Sequence, residues 1–404
     1  MSTRRLDMRT WAEIDLDVVQ RNAARIRERR PHHDLIGVLK ADAYGHGAAA
    51  LAEAVVGAGA TMLGVGDSRE ALELILAGVK VPVIILGAII DGEMPAVIRH
   101  DIRTTIHSMN RVEQLEREAD RQERQHSVHI KVDTGMGRLG MMPERAVDVA
   151  RRIAQSSSLL LEGLSTHLAN SNLDVTEKSQ RQLRVFQEVH DAVVAELGPI
   201  PVVHAMNTAA AWNLDVVDEV GNALRVGAAL YGIPGPTLQP YPFEPAMTLK
   251  SQIIFMKDVP AGTSVGYNGT WVAERRSRLA TLPLGFNDGL PPSSSVDGFV
   301  LVRGQRAPVR GAVSMDYTTV DVTDIEGAAV GDEALVFGRG QKNLDADGPA
   351  QESELPLRDV AERVGSSPYA MTCGVGKRVH RLYFGQRSEN EIKKMTLEES
   401  QGHP

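Results

Sequence analysis

Lys40 directly follows the apolar run LIGVL at 35–39, and the chain then continues ADAYGHG, with Tyr44 four residues after the lysine. A lysine at the end of a strand often only carries its charge back to water. An amine near apolar groups and other cations has a lowered pKa, however, and a neutral amine can form a Schiff base with an aldehyde. The other polar residues of the sequence show whether Lys40 is a surface lysine or a catalytic one.

Other polar residues follow further apolar runs in the same way. The glycines among them expose backbone N–H groups, and a threonine hydroxyl beside such amides can hold a phosphate. Cations, histidine, hydroxyls and glycines together suit an anionic organic cofactor, and with a lysine they favour pyridoxal phosphate. The residues in question are Lys131, Arg138, His167, Asn207, Thr208, Arg225, Gly227 and Ala228.

The apolar runs alternate with amphipathic stretches of helical periodicity. Such alternation predicts a parallel sheet with connecting helices, and eight units in about 200 residues predict a closed (β/α)8 barrel of the TIM type. A barrel of this type places its site at the carboxyl ends of the strands, where the residues above stand. The predicted strands are 35–39, 61–66, 82–86, 102–106, 127–132, 160–166, 201–204 and 223–226.

The stretch PGPTLQPYPFEP at 234–245 interrupts this alternation and indicates a linker between two domains. Short β-rich segments separated by turns follow it and predict a mostly antiparallel β-domain. We therefore expect a barrel over residues 1–242, a β-domain over 243–385 and a polar tail over 386–404.

Composition narrows the class of protein. The net charge of −8 argues against nucleic-acid binding, and no apolar run is long enough to predict a membrane span. One cysteine, Cys373, cannot form an internal disulfide or a cysteine cage for a metal. No secretory signal is recognisable, so we expect a cytoplasmic enzyme. We also expect it to have no metal site.

Eight ordered segments resemble those of alanine racemases, and the resemblance extends from about Trp11 to Tyr383. The segments are VLKADAYGHG at 38–47, HIKVDTGMGRLG at 129–140, STHLAN at 165–170, HAMNTAA at 204–210, LRVGAALYG at 224–232, SVGYNGTW at 264–271, GAVSMDY at 311–317 and RVHRLY at 378–383. The resemblance implies an isomerase that interconverts L-alanine and D-alanine with pyridoxal phosphate and supplies D-alanine for peptidoglycan.

The same resemblance implies two catalytic bases on opposite faces of the substrate. Lys40 would carry the cofactor as a Schiff base and exchange the proton of one enantiomer, while Tyr267 would act on the other face. In this family the tyrosine comes from a second subunit, so the resemblance also implies a homodimer with shared active sites.

Further roles are implied residue by residue. Tyr44, Thr208, Gly227, Ala228 and Tyr369 would bind the cofactor phosphate, and Arg225 would face the pyridine nitrogen, with His167 and Asn207 also among the cofactor contacts. Arg138 and the backbone of Met315 would bind the substrate carboxylate. Lys131 would be carbamylated and orient Arg138. Asp316 would help to orient the substrate-binding groups without touching the substrate itself.

Several positions depart from the family pattern and leave the substrate open. Phe286, Leu290, Pro292 and Asn172 stand where a tyrosine, an aromatic residue, an arginine and an acidic residue are usual. A broader or serine-preferring racemase is therefore an alternative. A pyridoxal-dependent decarboxylase and a non-catalytic cofactor-binding protein are less favoured, because Arg225 and the second domain with Tyr267 do not fit them.

Overall fold

The chain divides into two compact units. One unit holds Val19–Phe243, and the other combines Met1–Val18 with Glu244–Pro404. The structure, a computed structural model, describes residues 8–169, 177–213, 220–235, 241–341 and 352–385. Asn172 and the predicted tail 386–404 lie outside the described residues.

An eight-stranded sheet forms the first unit, and every pair of neighbouring strands in it is parallel. A parallel bridge between Met206 and Leu224 brings the two ends of the sheet together, and the Arg225 amide donates to the Met206 carbonyl at 3.0 Å. The predicted (β/α)8 architecture is therefore confirmed. In sheet order the strands are Val202–His204, Leu159–Ser165, His126–Lys131, Arg103–Ile106, Val83–Ile85, Ala60–Val65, Asp34–Val38 and Ala223–Val226.

Helices alternate with these strands, and two of them begin at acidic side chains that cap the N-terminus. Asp15 accepts from the Val18 amide at 3.0 Å, and Asp67 accepts from the amides of Arg69 and Glu70 at 2.9 and 3.0 Å. These caps satisfy backbone donors that the first turn of a helix leaves unpaired. The helices of this part of the chain are Leu16–Arg29, Ala48–Gly57, Ser68–Leu76, Met94–Arg99, Met109–Arg121, Ala146–Ala154, Glu177–Leu197 and Thr208–Asn213.

The second unit is built from mostly antiparallel strands, as the sequence predicted. Its short helices are Ser294–Asp297, Leu357–Arg363 and Pro368–Cys373. Its strands are Thr10–Asp15, Met247–Gln252, Phe255–Val259, Ser264–Val265, Trp271–Val272, Ser277–Leu282, Phe299–Val302, Gln305–Pro308, Thr318–Asp321, Glu333–Gln341, Glu352–Leu355 and His380–Phe384.

The N-terminal strand Thr10–Asp15 belongs to this second unit, whereas the sequence placed all of residues 1–242 in the barrel. The strand lies between Met247–Gln252, to which it is antiparallel, and His380–Phe384, to which it is parallel. The buried Lys250 amine lies 3.0 Å from Glu13 and 3.2 Å from Glu333, and so ties the N-terminal strand to two others. The barrel sheet already has its eight strands, so an additional strand must pair elsewhere.

No helix in the described part of the chain is both long and apolar enough to span a membrane.

The strand before Lys40 tolerates little added volume, which yields a stability prediction. A Cβ on Gly37 would lie 2.3 Å from Cγ1 of Val55, a fully buried and stiff side chain. Gly37→Ala should lower the free energy of unfolding by about 1–3 kcal/mol, the usual cost of overpacking a core. Urea unfolding would measure it. Gly92→Ala is the matched control, since a Cβ there meets nothing within 4 Å. Equal stability of both variants would contradict the packing argument.

Candidate active site

The barrel unit brings together the predicted residues that follow its strands. Lys40 stands just beyond Asp34–Val38, and Arg225 lies on the neighbouring strand, in register with Ile36. Lys131 ends the strand His126–Lys131. The other predicted barrel residues lie in the segments that follow the strands, namely Tyr44, Arg138, His167, Asn207, Thr208, Gly227 and Ala228.

Lys40 begins a turn with a left-handed backbone. Ala41, Asp42, Ala43 and Tyr44 have φ values of 53°, 54°, 52° and 57°. This conformation costs roughly 1–2 kcal/mol for each residue other than glycine. The turn is held by hydrogen bonds at both ends, from the Ala43 amide to Leu39 and from the Gly47 amide to Asp42. The sequence did not predict this left-handed backbone.

A carboxylate fixes the start of this turn. Glu70 accepts from the Ala41 amide at 2.6 Å and from the Gly66 amide at 2.7 Å. It therefore ties the residue after Lys40 to the end of the next strand. Asp42 accepts from the Ala48 amide at 2.7 Å and fixes the far side of the turn. These two acidic residues were not among the predicted site residues.

Two hydroxyl groups and a backbone amide converge at Gly227. The Gly227 amide donates to the Thr208 hydroxyl at 3.3 Å, and a Cβ on Gly227 would lie 2.4 Å from the Tyr44 hydroxyl. Only glycine leaves room for this approach. The Lys40 amine is 6.0 Å from the centroid of the Tyr44 ring. A reactive amine and a group of hydroxyl and amide donors thus share one end of the barrel.

Two other predicted contacts have structural partners of their own. Asn207 Oδ1 accepts from the Ala210 amide at 3.0 Å and so caps the helix that begins at Thr208. Ala228 is buried, and its carbonyl accepts from the Ile233 amide at 3.0 Å. Both residues shape the loops that hold Thr208 and Gly227.

Arg225 is a buried cation whose guanidinium donates to carbonyls and imidazoles. Its Nη2 donates to Thr166 O at 2.8 Å, to Ala205 O at 3.1 Å and to His167 Nδ1 at 3.2 Å. Its Nη1 donates to His204 O and, at 2.9 Å, to His204 Nδ1. Burial lowers the pKa of Arg225 to about 10. An arginine supplies donors only, so any group facing it must be an acceptor.

The cations near Arg225 lower one another's proton affinity. Burial and the charges of Arg225, Arg138 and Lys40 together lower the pKa of Lys131 to about 8. Burial and the same cations lower the pKa of His167 to about 3. His167 is therefore neutral at pH 7, and Lys131 is an amine that loses its proton easily. The Lys131 amine donates to the Leu86 carbonyl at 3.2 Å.

The sequence did not single out three residues behind Arg225. These residues are His204, His129 and Glu162, and none of them was among the predicted site residues. In the structure His204 Nε2 lies 2.8 Å from His129 Nδ1, and His129 Nε2 lies 3.1 Å from Glu162. They lie on three adjacent strands, so no motif of fixed spacing could reveal them.

In the second unit, Tyr267 lies in an exposed turn. Its side chain is 71% exposed, and the turn Tyr267–Gly269 follows Gly266, whose φ is 77°. A Cβ on Gly266 would lie 2.9 Å from the Ala312 amide nitrogen. The turn that presents Tyr267 therefore packs backbone to backbone on the segment that leads to Met315.

Met315 and Asp316 are held by neighbouring loops of this unit. The Asn287 amide donates to the Met315 carbonyl at 3.3 Å. Asp316 lies 2.6 Å from Arg378, which also binds Asp288 at 2.6 Å. Hydrogen bonds with both carboxylates raise the pKa of Arg378. Asp316 thus belongs to an ion-pair network beside Met315.

The remaining predicted residues of this unit differ in exposure. Tyr369 lies on the helix Pro368–Cys373 and is 36% exposed. Phe286 is 43% exposed, whereas Leu290 is buried at 3%. Leu290 therefore packs inside this unit, while Phe286 presents an apolar surface.

The barrel site matches the donor set that pyridoxal phosphate requires. Lys40 would provide an amine for the aldehyde, Thr208, Tyr44 and Gly227 would provide donors for the phosphate, and Arg225 would provide a donor for the ring nitrogen. The structural feature that fits a phosphate is the close approach of the Tyr44 and Thr208 hydroxyls to the Gly227 backbone, which a Cβ on Gly227 would prevent for Tyr44.

Comparisons with known proteins agree across both units. Residues 14–234 match the family described as "Alanine racemase, N-terminal domain". Residues 246–383 match the family described as "Alanine racemase, C-terminal domain".

Individual relatives match over nearly their whole length. An alanine racemase of Halothermothrix orenii is 36% identical over 389 residues, which cover 94% of this chain and 98% of the relative. One of Methanococcus maripaludis is 34% identical over 381 residues, or 93% of this chain and 98% of the relative. The crystal structure of alanine racemase from D-cycloserine producing Streptomyces lavendulae has a TM-score of 0.85 and 30% identity, covering 95% of this chain and 99% of that one.

The buried histidines of the barrel yield a pH prediction. Burial lowers the pKa of His126 to about 4, whereas an unfolded histidine has a pKa of about 6.5. Between about pH 6.5 and 4 the unfolded state therefore binds a proton that the folded state does not, and stability falls as the pH falls. His126→Phe should make this fall shallower by about 1 kcal/mol per pH unit between about pH 6 and 5.

Urea unfolding at a series of pH values would measure the slope. Thr104→Val is the matched control, because it removes the 2.9 Å hydrogen bond to His126 but keeps the buried imidazole. The control should retain the slope of the parent protein. Equal slopes for His126→Phe and the parent would contradict the prediction.

Proposed function

The chain belongs to the alanine racemase family, whose members are isomerases, and we propose that it interconverts L-alanine and D-alanine with pyridoxal phosphate as its cofactor. The single observation that carries the cofactor assignment is the convergence of Lys40, Tyr44, Thr208 and Gly227 at one end of the barrel. The D-alanine produced would serve peptidoglycan synthesis.

The chemistry requires the loss and return of the proton on the substrate α-carbon. When bound, pyridoxal phosphate withdraws electrons from that carbon and makes its proton removable. Lys40 would bind the cofactor aldehyde through its amine, and Tyr44, Thr208, Gly227 and Ala228 would bind the phosphate. The resemblance assigns Tyr369 to the phosphate as well. His167 and Asn207 support the ring and the phosphate loop from the barrel.

Inversion of a stereocentre by proton transfer needs one acid–base group on each face of the carbon. We assign Lys40 to one face and Tyr267 to the other. A tyrosine has an ordinary pKa near 10 and needs a donor close by to stabilise its deprotonated form. His167 can act as this donor, because its Nδ1 accepts from Arg225 and its proton therefore sits on Nε2.

Arg225 determines what happens after the proton leaves. A carboxylate beside the ring nitrogen would hold a proton there, whereas an arginine can only donate and leaves the nitrogen without a proton of its own. Arg225 would therefore leave the ring a weaker electron acceptor, and a proton removed from the α-carbon would return to it quickly. This choice of residue supports racemisation over decarboxylation or amino-group transfer.

The substrate carboxylate needs a cationic partner, and we assign that role to Arg138 with the Met315 backbone. Lys131 stands close enough to Arg138 for the two charges to repel. A neutral lysine amine can combine with carbon dioxide, forming an N–C bond and releasing a proton, and the resulting carbamate is an anion. We propose that Lys131 is carbamylated in this way and attracts Arg138. Asp316, the residue after Met315, is held in place by its ion pair with Arg378.

Tyr267 lies in the second unit, and we propose that a second copy of the chain presents it to Lys40. The active protein is then a homodimer with two shared sites. The exposure of Tyr267 in a turn held by glycine contacts supports this role, because a shared residue must stand on the surface of its own subunit.

Phe286 favours one further candidate, a racemase with broader substrate choice that includes serine. Its exposed ring carries no hydroxyl, so it presents an apolar surface where relatives present a tyrosine. The departure at Leu290 argues less strongly, because that side chain packs inside its own unit.

A chiral assay tests the function directly. The purified protein with added pyridoxal phosphate should convert each enantiomer of alanine into a mixture of both, and serine more slowly. Lys40→Ala should lower kcat by at least about 1,000-fold, or roughly 4 kcal/mol in the barrier. Lys80→Ala, an exposed lysine that precedes a strand of the same barrel, is the control and should retain activity. Faster turnover of serine would select the second candidate, and no racemisation of any amino acid would refute the proposal.

Mixing of inactive variants tests the shared site. Lys40→Ala and Tyr267→Phe subunits should each be inactive, but a mixed dimer contains one site that neither change affects. Equal amounts, after exchange, should recover about a quarter of the parent activity. A subunit with both substitutions, mixed with Tyr267→Phe subunits, should recover none. Full subunit exchange without recovery in the first mixture would argue against Tyr267 acting across the dimer.

A further inference from the structure

A line of hydrogen bonds leads from Arg225 into the wall of the barrel. Arg225 Nη1 donates to His204 Nδ1 at 2.9 Å, His204 Nε2 lies 2.8 Å from His129 Nδ1, and His129 Nε2 lies 3.1 Å from Glu162. We name the last three residues the histidine relay. His204 and His129 are 1% and 0% exposed, so their ring nitrogens depend on one another for partners.

The two ends of the relay permit only one arrangement of protons. A guanidinium donates and never accepts, and a carboxylate accepts and never donates. His204 must therefore accept through Nδ1 and carry its proton on Nε2. His129 must likewise accept through Nδ1 and donate from Nε2 to Glu162. A second proton on either imidazole would sit on Nδ1, and two N–H donors would then face each other.

Protonation energetics agree with this arrangement. Burial lowers the pKa of His204 well below its usual value, and Arg225 lowers it further. Burial also lowers the pKa of His129, although Glu162 opposes the shift. Burial would raise the pKa of Glu162, but the hydrogen bond from His129 and the charge of Arg103 bring it below its usual value. Both histidines are neutral and Glu162 is ionised at pH 7.

A glycine makes room for the relay. A Cβ on Gly163 would lie 2.1 Å from His129 Nδ1, the atom that accepts from His204. Any side chain at this position would displace the imidazole. Arg103 Nε donates at 3.3 Å to the same Glu162 oxygen, Oε2, that accepts from His129, and Arg103 also binds Asp101 at 2.8 Å. The carboxylate is thus fixed while its bond to His129 is kept.

Among the described residues no carboxylate contacts the Arg225 guanidinium, whose partners are carbonyl oxygens and imidazole nitrogens. A buried cation without a counter-charge is costly. Hydrogen bonds in series polarise one another, so the charge of Glu162 can act on Arg225 through the two imidazoles.

We propose that His129 and Glu162 are positioning residues for the racemase reaction, which hold His204 in its Nδ1-accepting form and thereby fix the orientation of Arg225 toward the cofactor ring. Glu162 is the remote counter-ion of Arg225, and Gly163 is required for the relay to assemble. This inference rests on the proposed function, because it is the proposed cofactor that gives Arg225 its task.

Nitrogen-15 NMR of ring-labelled histidines in the cofactor-free protein tests the geometry without any activity. His204 and His129 should both appear as neutral rings with the proton on Nε2, joined by a coupling across the hydrogen bond between them. Gly163→Ala should abolish that coupling, because the added Cβ displaces His129. A proton on Nδ1 of either ring, or the absence of coupling in the parent protein, would overturn the proposal.

Kinetics and cofactor binding test the positioning role. Glu162→Gln keeps the size and removes the charge, and His129→Phe interrupts the relay with a ring of similar shape. Each should lower kcat by about tenfold, or roughly 1.4 kcal/mol, and weaken pyridoxal phosphate binding, while the KM for alanine changes by less than about twofold. His126→Phe is the matched control, a buried histidine on the same strand, and should stay within about twofold of the parent.

The two lines of measurement separate failure of this inference from failure of the proposed function. Parent-like kcat and cofactor affinity in both Glu162→Gln and His129→Phe would overturn the relay while the racemase remained. A parent protein that racemised nothing would instead refute the function, and with it the task given to Arg225, whatever tautomers the NMR spectra contained.

Discussion

The buried positive charge of Arg225 is the constraint on which the barrel site depends. Removal of a cation from water costs several kcal/mol unless its donors are satisfied. Carbonyls of Thr166, His204 and Ala205 and ring nitrogens of two histidines satisfy them. Those acceptors come from the ends of two other strands, so the guanidinium can be solvated by protein only when the barrel is closed. Closure of the barrel is therefore a requirement for the chemistry of the site.

The two catalytic candidates are held in different ways. Lys40 follows a buried strand and begins a turn whose backbone is fixed by Leu39, Asp42 and Glu70. Tyr267 stands on an exposed turn whose shape comes from glycines that pack backbone to backbone. The barrel unit therefore holds Lys40 through hydrogen bonds of the adjoining backbone, whereas the second unit presents Tyr267 on its own surface.

The sequence predicted the eight barrel strands and the residues that follow them, because period and strand ends are local signals. It missed features that depend on contacts between distant segments. His129 and Glu162 are 33 residues apart and meet only because their strands are neighbours. The N-terminal strand was assigned to the barrel because its pairing with Met247–Gln252 leaves no local trace. The left-handed turn was missed because Ala41, Asp42 and Ala43 do not favour a left-handed backbone. The surrounding hydrogen bonds impose that conformation on them.

That turn places stability and function in opposition. Glycine at Ala41 or Ala43 would adopt the same backbone without strain, yet it would also free the segment to leave that conformation. Alanine holds the segment at an energetic disadvantage that the rest of the fold must absorb. A search for more heat-resistant variants would therefore tend to select changes beside Lys40 that relax the loop and slow the enzyme, and such selections should exclude residues 41–44 from randomisation.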